Sequence, residues 1–308
     1  MFIALDLVDK TILIEISKNC RVSYESLSKK TGLSANAVKN RVTALLESGA
    51  ISRFAISLSA AMNNAEYFVA LVITDGTEDI DAFLKYMGEN EMVGHISLLA
   101  SAVGGAYFLW GQYIGSSMLS GLRKFLRHPK EVEDVELHTI LWKMGKKVEL
   151  ANLHLRILAV LKKNPRALIN EIAQETGLAT KTVRRGIREL SEGDGVMFTA
   201  RPDTAAGGFV NFYVRFEWNE DETTLEKVVN WLEENYSLEL WDPTISATDP
   251  IIFAEFVVDD LHQAEEIARN IRCQSFVKST TTLVSYSNQK FKYYAETMLD
   301  DMIHAAGY

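Results

Sequence analysis

Two short stretches of the chain place cationic and amide side chains at the spacing of a single helix face. In the first, Asn36, Lys39, Asn40 and Thr43 fall opposite the apolar residues Val38, Val42 and Leu45. In the second, Lys181, Arg184, Arg185 and Arg188 fall opposite Val183, Ile187 and Leu190. Ser34 and Thr180 stand at the starts of these stretches, and Arg41 lies within the first. Arginine and lysine in such an array contact phosphate or guanine, and asparagine can bridge adenine through two hydrogen bonds. A solvated helix surface has the same look, because runs of charge usually mark only an exposed face. Recurrence of the pattern in two matched places weighs against that plainer reading.

The elements needed to present these faces are legible around them. In the first copy Asp9 is the expected N-cap of a helix with the apolar stripe Ile12, Leu13 and Ile16. Ser23 caps a short second helix that buries Leu27, Gly32 makes a tight turn at positive φ, and Ser34 caps the third helix. A short helix, a glycine turn and a second short helix form a helix-turn-helix, whose second helix presents its first residues to base edges in the major groove. Ile51 to Leu58 then reads as a wing or hinge strand.

The whole unit occurs twice. Thr31-Gly32-Leu33 returns as Thr176-Gly177-Leu178, 145 positions later. At the same offset Ile12-Leu13 matches Ile157-Leu158, Arg21 matches Arg166, Val42 matches Ile187 and Leu45 matches Leu190. A register held over some forty residues marks an internal duplication.

Charge follows the duplication. The formal net charge is -9, which alone argues against a nucleic-acid partner. Residues 1–55, however, hold 8 Lys/Arg against 5 Asp/Glu, and residues 150–201 hold 9 against 5, whereas the remainder holds 15 against 31. Basic islands on an acidic body are the footprint of a protein that offers selected faces to phosphate. At 308 residues the chain exceeds one core. Cys20 and Cys273, one in each half, fit a reducing compartment, and with no basic-then-apolar leader the expected location is the cytoplasm. Ile96 to Leu122 is uncharged and long enough for a membrane span, but five glycines and five serines make it read as two strands around Gly104-Gly105.

Motifs for other chemistry are missing. There is no CxxC, HExxH, GxGxxG, P-loop or GxSxG, and none of the six histidines stands at metal-ligand spacing. The expectation is a chain that is not an enzyme and carries no cofactor and no metal.

After each island comes an α+β pattern. Strands are expected at Tyr67–Ile73, Ile96–Val103, Tyr107–Tyr113 and Val135–Trp142, with helices at Ile80–Met87 and Met118–Leu126. The second half repeats this with strands at Phe209–Phe216, Leu238–Ala247, Pro250–Val258 and Phe276–Ser285 and helices at Thr224–Glu234 and Leu261–Ile271. The order βαββαβ is ferredoxin-like. A last helix, Phe291–Ala306, is expected to group Tyr294, Met298 and Met302 on one side. The fold class is therefore α+β, with helix-turn-helix domains at 1–58 and 148–202 alternating with α+β domains at 64–145 and 207–308, the last including the terminal helix.

These residues resemble the Lrp/AsnC family of regulators. The first copy carries Leu5-Asp6, Asp9, Ile12-Leu13, Arg21, Leu27, Gly32-Leu33-Ser34, Val38, Arg41-Val42, Leu45, Gly49 and Ile51. The second departs at two of these, with His154 for Asp9 and Gly186 for Arg41. The resemblance implies transcription regulation through double-stranded DNA. It further implies regulatory (RAM) domains that pair sheet to sheet in a dimer or larger assembly and bind an effector, often an amino acid. The family's effector turn maps to Ser101, Gly104 and Gly105, and to Thr248 and Asp249 in the second copy, although Tyr107-Phe108 stand where an acidic residue is expected. The two sheets either pair within one chain or each pair with another chain. Siroheme decarboxylases resemble the same two-domain architecture in paired halves. That alternative would need cationic residues and histidines near a tetrapyrrole, for which His95 and Arg123 can be enlisted. A third reading is a protein that keeps the fold and binds ligand without DNA.

Overall fold

The computed structural model describes residues 6–101, 104–141, 144–203 and 208–308. The first copy runs α1 (Leu7–Lys18), α2 (Tyr24–Thr31), α3 (Ala35–Glu47), β1 (Ile51–Leu58) and a single turn α4 (Ala60–Asn63). There follow β2 (Glu66–Thr74), α5 (Ile80–Gly88), β3 (Val93–Leu99), β4 (Ala106–Tyr113), α6 (Gly115–Leu126) and β5 (Val132–Leu141). The second copy repeats this as α7 (Asn152–Lys163), α8 (Ile169–Thr176), α9 (Thr180–Glu192) and β6 (Val196–Pro202). It continues with β7 (Val210–Trp218), α10 (Leu225–Asn235), β8 (Leu240–Ser246), β9 (Ile251–Val258), α11 (Leu261–Arg272) and β10 (Val277–Lys290), and α12 (Tyr294–Ala305) closes the chain.

The chain folds into two compact units, and each gathers the like parts of both copies. One comprises residues 6–65, 144–203 and 292–308; the other comprises 66–143 and 204–291.

In the first unit the strands after the two helix-turn-helix motifs pair with each other. β1 and β6 form an antiparallel two-stranded ribbon, with Phe54 opposite Ala200 and Leu58 opposite Val196. The two motifs are clasped reciprocally. Arg21 Nη1 and Nη2 donate to the carbonyls of Pro165 and Ala167 at 2.5 and 3.0 Å. Its repeat mate Arg166 donates to the carbonyls of Cys20 and Val22, which are the repeat mates of Pro165 and Ala167. Such a contact, in which i meets j and j meets i, is isologous packing held inside one chain. Cys20 is buried within this clasp, and burial pushes its thiol up to about 11, so it stays protonated.

α1 begins one turn earlier than the sequence suggests. Asp6, not Asp9, is the N-cap: its Oδ1 accepts from the Asp9 amide at 2.9 Å, while Asp9 Oδ2 accepts from the Asp6 amide at 3.1 Å. The two form a capping box, in which Asp9 takes the place usually held by Glu or Gln. The buried side of α12 carries Ala295, Glu296, Leu299 and Ile303.

In the second unit the two βαββαβ sheets join edge to edge into one closed barrel, in the order β10-β3-β4-β2-β5-β8-β9-β7. The sheet pairing that the resemblance implies is thus made within the chain. β10 runs on to Lys290, past its expected end at Ser285, because it serves both halves: Val277 to Ser285 pair with β7, and Ser285 to Lys290 pair with β3. At the opposite seam, among the described residues, Ile140 and Leu141 of β5 are in register with Ser246 and Ile245 of β8. Helices cover the outer face of each half over cores built from Phe68, Phe83, Leu109 and Leu122 and from Phe212, Phe216, Phe256 and Leu232. Strand alternation sends the intervening residues inward. Phe108 therefore meets Tyr213 and Phe253 at ring distances of 4.5 and 5.3 Å. The uncharged stretch Ile96–Leu122 becomes β3, a turn, β4 and α6, and among the described residues no helix is long and apolar enough to cross a membrane. Val103 and Trp142, expected as strand ends, lie outside the described residues.

Candidate nucleic-acid interface

The third helix of each motif is set by its cap and its buried stripe. Ser34 accepts from the Ala37 amide at 3.2 Å, and Gly32 turns the chain into it at φ 73°. Val38, Val42 and Leu45 are buried, which leaves Asn36, Lys39, Asn40 and Thr43 exposed as expected. The Thr43 hydroxyl bonds back to the Lys39 carbonyl at 3.1 Å. In the second copy Gly177 makes the turn at φ 66°, and Val183, Gly186 and Leu190 are buried, while Ile187 is only half-buried. Thr180, Lys181, Arg184, Arg185 and Arg188 are exposed. No side chain caps α9, so its first backbone N–H groups point free beside Thr180 and Lys181. Free N–H groups and the helix dipole both favour a phosphate there.

The cations differ in how far they are committed. Lys39, Lys181 and Arg184 make no ion pair among the described residues. Arg185 Nε lies 3.5 Å from Glu189, one turn along the same helix, a weak exposed pair. Arg41 does not belong with the free set. Its Nη1 is 2.7 Å from Asp6 Oδ2 and 2.9 Å from Asp9 Oδ1, tying α3 to the start of α1. The second copy explains its own two departures from the pattern. Where Arg41 and Asp9 pair, Gly186 and His154 stand, and His154 Nε2 instead meets Glu189 at 3.0 Å. A Cβ at 186 would lie 2.6 Å from Ile157 Cδ1, so the end of that side chain would have to shift to admit one.

The residues mapped to the effector turn are separated and largely occupied by the protein itself. Gly105 packs so closely under Glu78 that a Cβ would lie 1.9 Å from Glu78 Oε1. The Tyr107 hydroxyl donates to the same carboxylate at 2.6 Å. Glu78 itself lies in the loop before α5. Ser101 is exposed, and Gly104 stacks on the Thr74 carbonyl. In the other half, the Thr248 hydroxyl bonds Asp249 at 2.7 Å, and Asp249 Oδ2 lies 3.3 Å from His138 Nδ1.

A buried polar network inside the barrel went unread in the sequence. His138 Nε2 meets Glu136 at 2.9 Å, and Glu136 takes Arg215 through contacts of 2.6 to 2.9 Å. Burial alone would raise the Glu136 carboxyl, but hydrogen bonds from His138 and Arg215 outweigh it and hold its pKa at about 2. Higher in the barrel, Ser97 Oγ lies 3.0 Å from the Tyr213 hydroxyl and 2.9 Å from Asn288 Oδ1, which also meets His95 Nε2 at 3.2 Å. The available signal was a charged or polar residue at every second place of strands whose other places are apolar. His95 and Arg123 do not come together: His95 faces inward, and Arg123 is exposed on α6, on the outer face.

Comparisons agree with this geometry. A family profile described as winged helix-turn-helix DNA-binding matches residues 5–52 and 150–194, the two motifs. An HTH-type transcriptional regulator of Mycobacterium tuberculosis is 38% identical over 69 residues, which is 22% of this chain and 47% of that protein. The chain spans less than half the length of the curated relatives it matches. Among solved structures, the siroheme decarboxylase NirDL superposes over 98% of this chain and 100% of its own, with a TM-score of 0.57 and 15% identity. An AsnC family transcriptional regulator from Agrobacterium tumefaciens aligns with 48% of this chain and 97% of its own, with a TM-score of 0.35 and 21% identity.

The full-length match corrects one expectation. The absence of catalytic motifs led to a chain that is not an enzyme, yet the architecture that spans nearly all of it is one that an enzyme uses. Fold does not decide activity in either direction. With two matched motifs, a ribbon that joins them and two fused βαββαβ halves, the chain is a tandemly duplicated protein that carries two winged helix-turn-helix DNA-binding motifs.

Proposed function

We propose that the chain is a transcription regulator that reads double-stranded DNA with α3 and α9 together. The observation that carries this is the joining of both motifs in one unit by the β1–β6 ribbon and the reciprocal Arg21 and Arg166 clasp. One chain then does what two chains do in a two-fold dimer, and it offers its reading helices at a fixed spacing. Half-sites are expected one helical turn, or a multiple of it, apart. α3, with Asn36, Lys39, Asn40 and Thr43, carries more base-reading chemistry. α9, with Lys181, Arg184, Arg185 and Arg188, carries more phosphate-binding chemistry. The acidic remainder of the chain disfavours its own approach to the duplex. A small effector and assembly beyond one chain belong to the same proposal, with Ser101, Gly104, Gly105, Thr248 and Asp249 as the turns to probe.

The test is a titration of the protein against its own upstream DNA at two salt concentrations, comparing the native chain with Lys39→Ala/Asn40→Ala and Arg184→Ala/Arg188→Ala. Binding should fall steeply with salt. The α9 pair should lower the salt slope by about two, because each lost phosphate contact removes about one unit. The α3 pair should relax sequence preference. Protection of a single short site, or no binding, would sink the two-helix reading.

A second reading has its own support, in the full-length likeness to NirDL and the polar barrel interior. Under it the barrel acts on a tetrapyrrole. Added iron-uroporphyrin should then show a shifted Soret band that is lost in His95→Ala, and an unshifted band counts against it.

A further inference from the structure

The barrel interior is polar at one end, and among the described residues not every acidic group there is paired. All neighbouring strands are antiparallel, so β4 and β9, four places apart round the closed barrel, run the same way. Trp110 and Gln112 near the end of β4 therefore share one end of the barrel with Glu255 on β9. That end also holds Tyr67 and Asn211, at the starts of β2 and β7, and His95 and Asp242, near the starts of β3 and β8. Two ladder irregularities lie there, between Val93 and His95 and between Leu240 and Asp242. Bulges of this kind re-aim side chains and are common beside sites.

The charges can be matched one by one. Arg215 belongs to Glu136. Glu255 accepts from the Asn211 amide at 2.7 Å and feels the positive charge of Lys290. Asp242, in register with Glu255, has no hydrogen bond or ion pair among the described residues. Burial and the Glu255 charge both push its carboxyl well above the usual range, and a cation placed beside it would favour the ionised form instead. Asp242 and Glu255 are nonetheless only half-buried, so solvent-sized space reaches them. A second side chain is independently incomplete. Gln112 is 1% exposed, yet neither its Oε1 nor its Nε2 has a partner. By alternation with Tyr107, Leu109 and Tyr113, which lie in the helix-side core, Gln112 points inward with Phe108 and Trp110. An unpaired buried amide is costly unless something else meets it. Beside it, Tyr67 and Trp110 present paired rings 5.2 Å apart.

We propose that this end of the barrel binds a small primary ammonium ion with an aromatic or apolar tail, its charge on Asp242, its tail against Tyr67 and Trp110, and Gln112 meeting a polar group. Eight-stranded barrels have room for one small ligand. The ligand's cation would pair with Asp242, which has no partner among the described residues, and aromatic faces favour both the tail and the charge. The inference does not depend on DNA binding.

The probe is phenethylammonium chloride, titrated into the full chain and followed by heat and by tryptophan fluorescence. 2-Phenylethanol and 3-phenylpropionate serve as neutral and anionic counterparts. Saturable binding of the ammonium is expected, at least tenfold tighter than either counterpart, and weakened tenfold or more by Asp242→Asn. Melting curves check that this variant is folded. Gln112→Leu replaces an unpartnered amide by an apolar group of similar size, so it should keep or raise the melting temperature while weakening the ammonium. The inference is overturned if the alcohol binds equally well, if the carboxylate is preferred, if the native chain shows no saturable ammonium binding, or if neither variant weakens it.

Discussion

Arg53 of β1 and Arg201 of β6 stand opposite each other in the ribbon that joins the two motifs, and both turn to one carboxylate, Glu296 of α12. Glu296 is 5% exposed, and its oxygens lie 3.4 and 3.2 Å from the two guanidinium groups. Two like charges on facing strands would repel if it were absent. Glu296→Gln keeps the shape and removes the charge. It should cost about 2–3 kcal/mol, read as a lowered urea midpoint, because it leaves half-buried Arg201 without its counter-ion. Arg53 is more exposed, so Arg53→Ala should cost under about 1 kcal/mol. Equal losses in the two variants would show that Glu296 is not the shared anchor.

Arg41 lies on the helix proposed to read DNA but is held by Asp6 and Asp9, at 2.7 and 2.9 Å. Arg41→Ala should therefore act on stability. A loss of about 1 kcal/mol is expected, because the group is partly exposed and the capping box remains. The salt slope of DNA binding should stay within error of native, whereas Arg184→Ala should lower it by about one unit. A slope change in Arg41→Ala equal to that of Arg184→Ala would place its charge on phosphate instead.

The clasp of Arg21 and Arg166 predicts an effect of a third kind. Neither lies on α3 or α9, so neither is proposed to meet phosphate. Replacing either by Ala leaves two buried carbonyls of the other copy short of donors, at a cost of about 1–3 kcal/mol. DNA affinity should fall with the salt slope unchanged, because the spacing of the two reading helices loosens while their phosphate contacts remain. Unchanged affinity in both variants would mean that the ribbon alone fixes the spacing.

The helix-turn-helix units were legible because each rests on local rules: Ser23 and Ser34 as caps, Gly32 and Gly177 at positive φ, and an apolar stripe at helical period. The same local rules misplaced the start of α1, where two aspartates three residues apart are each plausible caps and only the chain's path decides. The tie from Arg41 to Asp9 spans 32 residues, and no spacing rule reports it. The barrel was less legible still. Alternation identifies strands, but on strands buried on both faces it does not say that the inward set includes Glu136, His138, Arg215 and Asp242. A charge in such a place is paired by residues distant in sequence, as Glu136 and Arg215 are at a separation of 79.

That pair makes the last prediction, on acid stability. The Glu136 carboxyl, at about 2 in the folded chain, is depressed below its ordinary value because Arg215 and His138 hold the ionised form. A depressed folded-state value means that the unfolded chain takes up a proton first as pH falls. The stabilisation is therefore complete above the unfolded value of about 4.3 and is lost progressively between there and about pH 2. The shift corresponds to roughly 3 kcal/mol, an upper figure because the carboxylate keeps some solvent contact. Urea midpoints of the native chain should fall from pH 5 to pH 3 more steeply than those of Glu136→Gln, which has no proton to take up at this position. Arg215→Ala should flatten the curve in the same way, because it removes the main charge that holds Glu136 ionised. Parallel curves for all three proteins would mean that other carboxylates dominate acid unfolding and that the barrel's Glu136 and Arg215 pair adds nothing measurable.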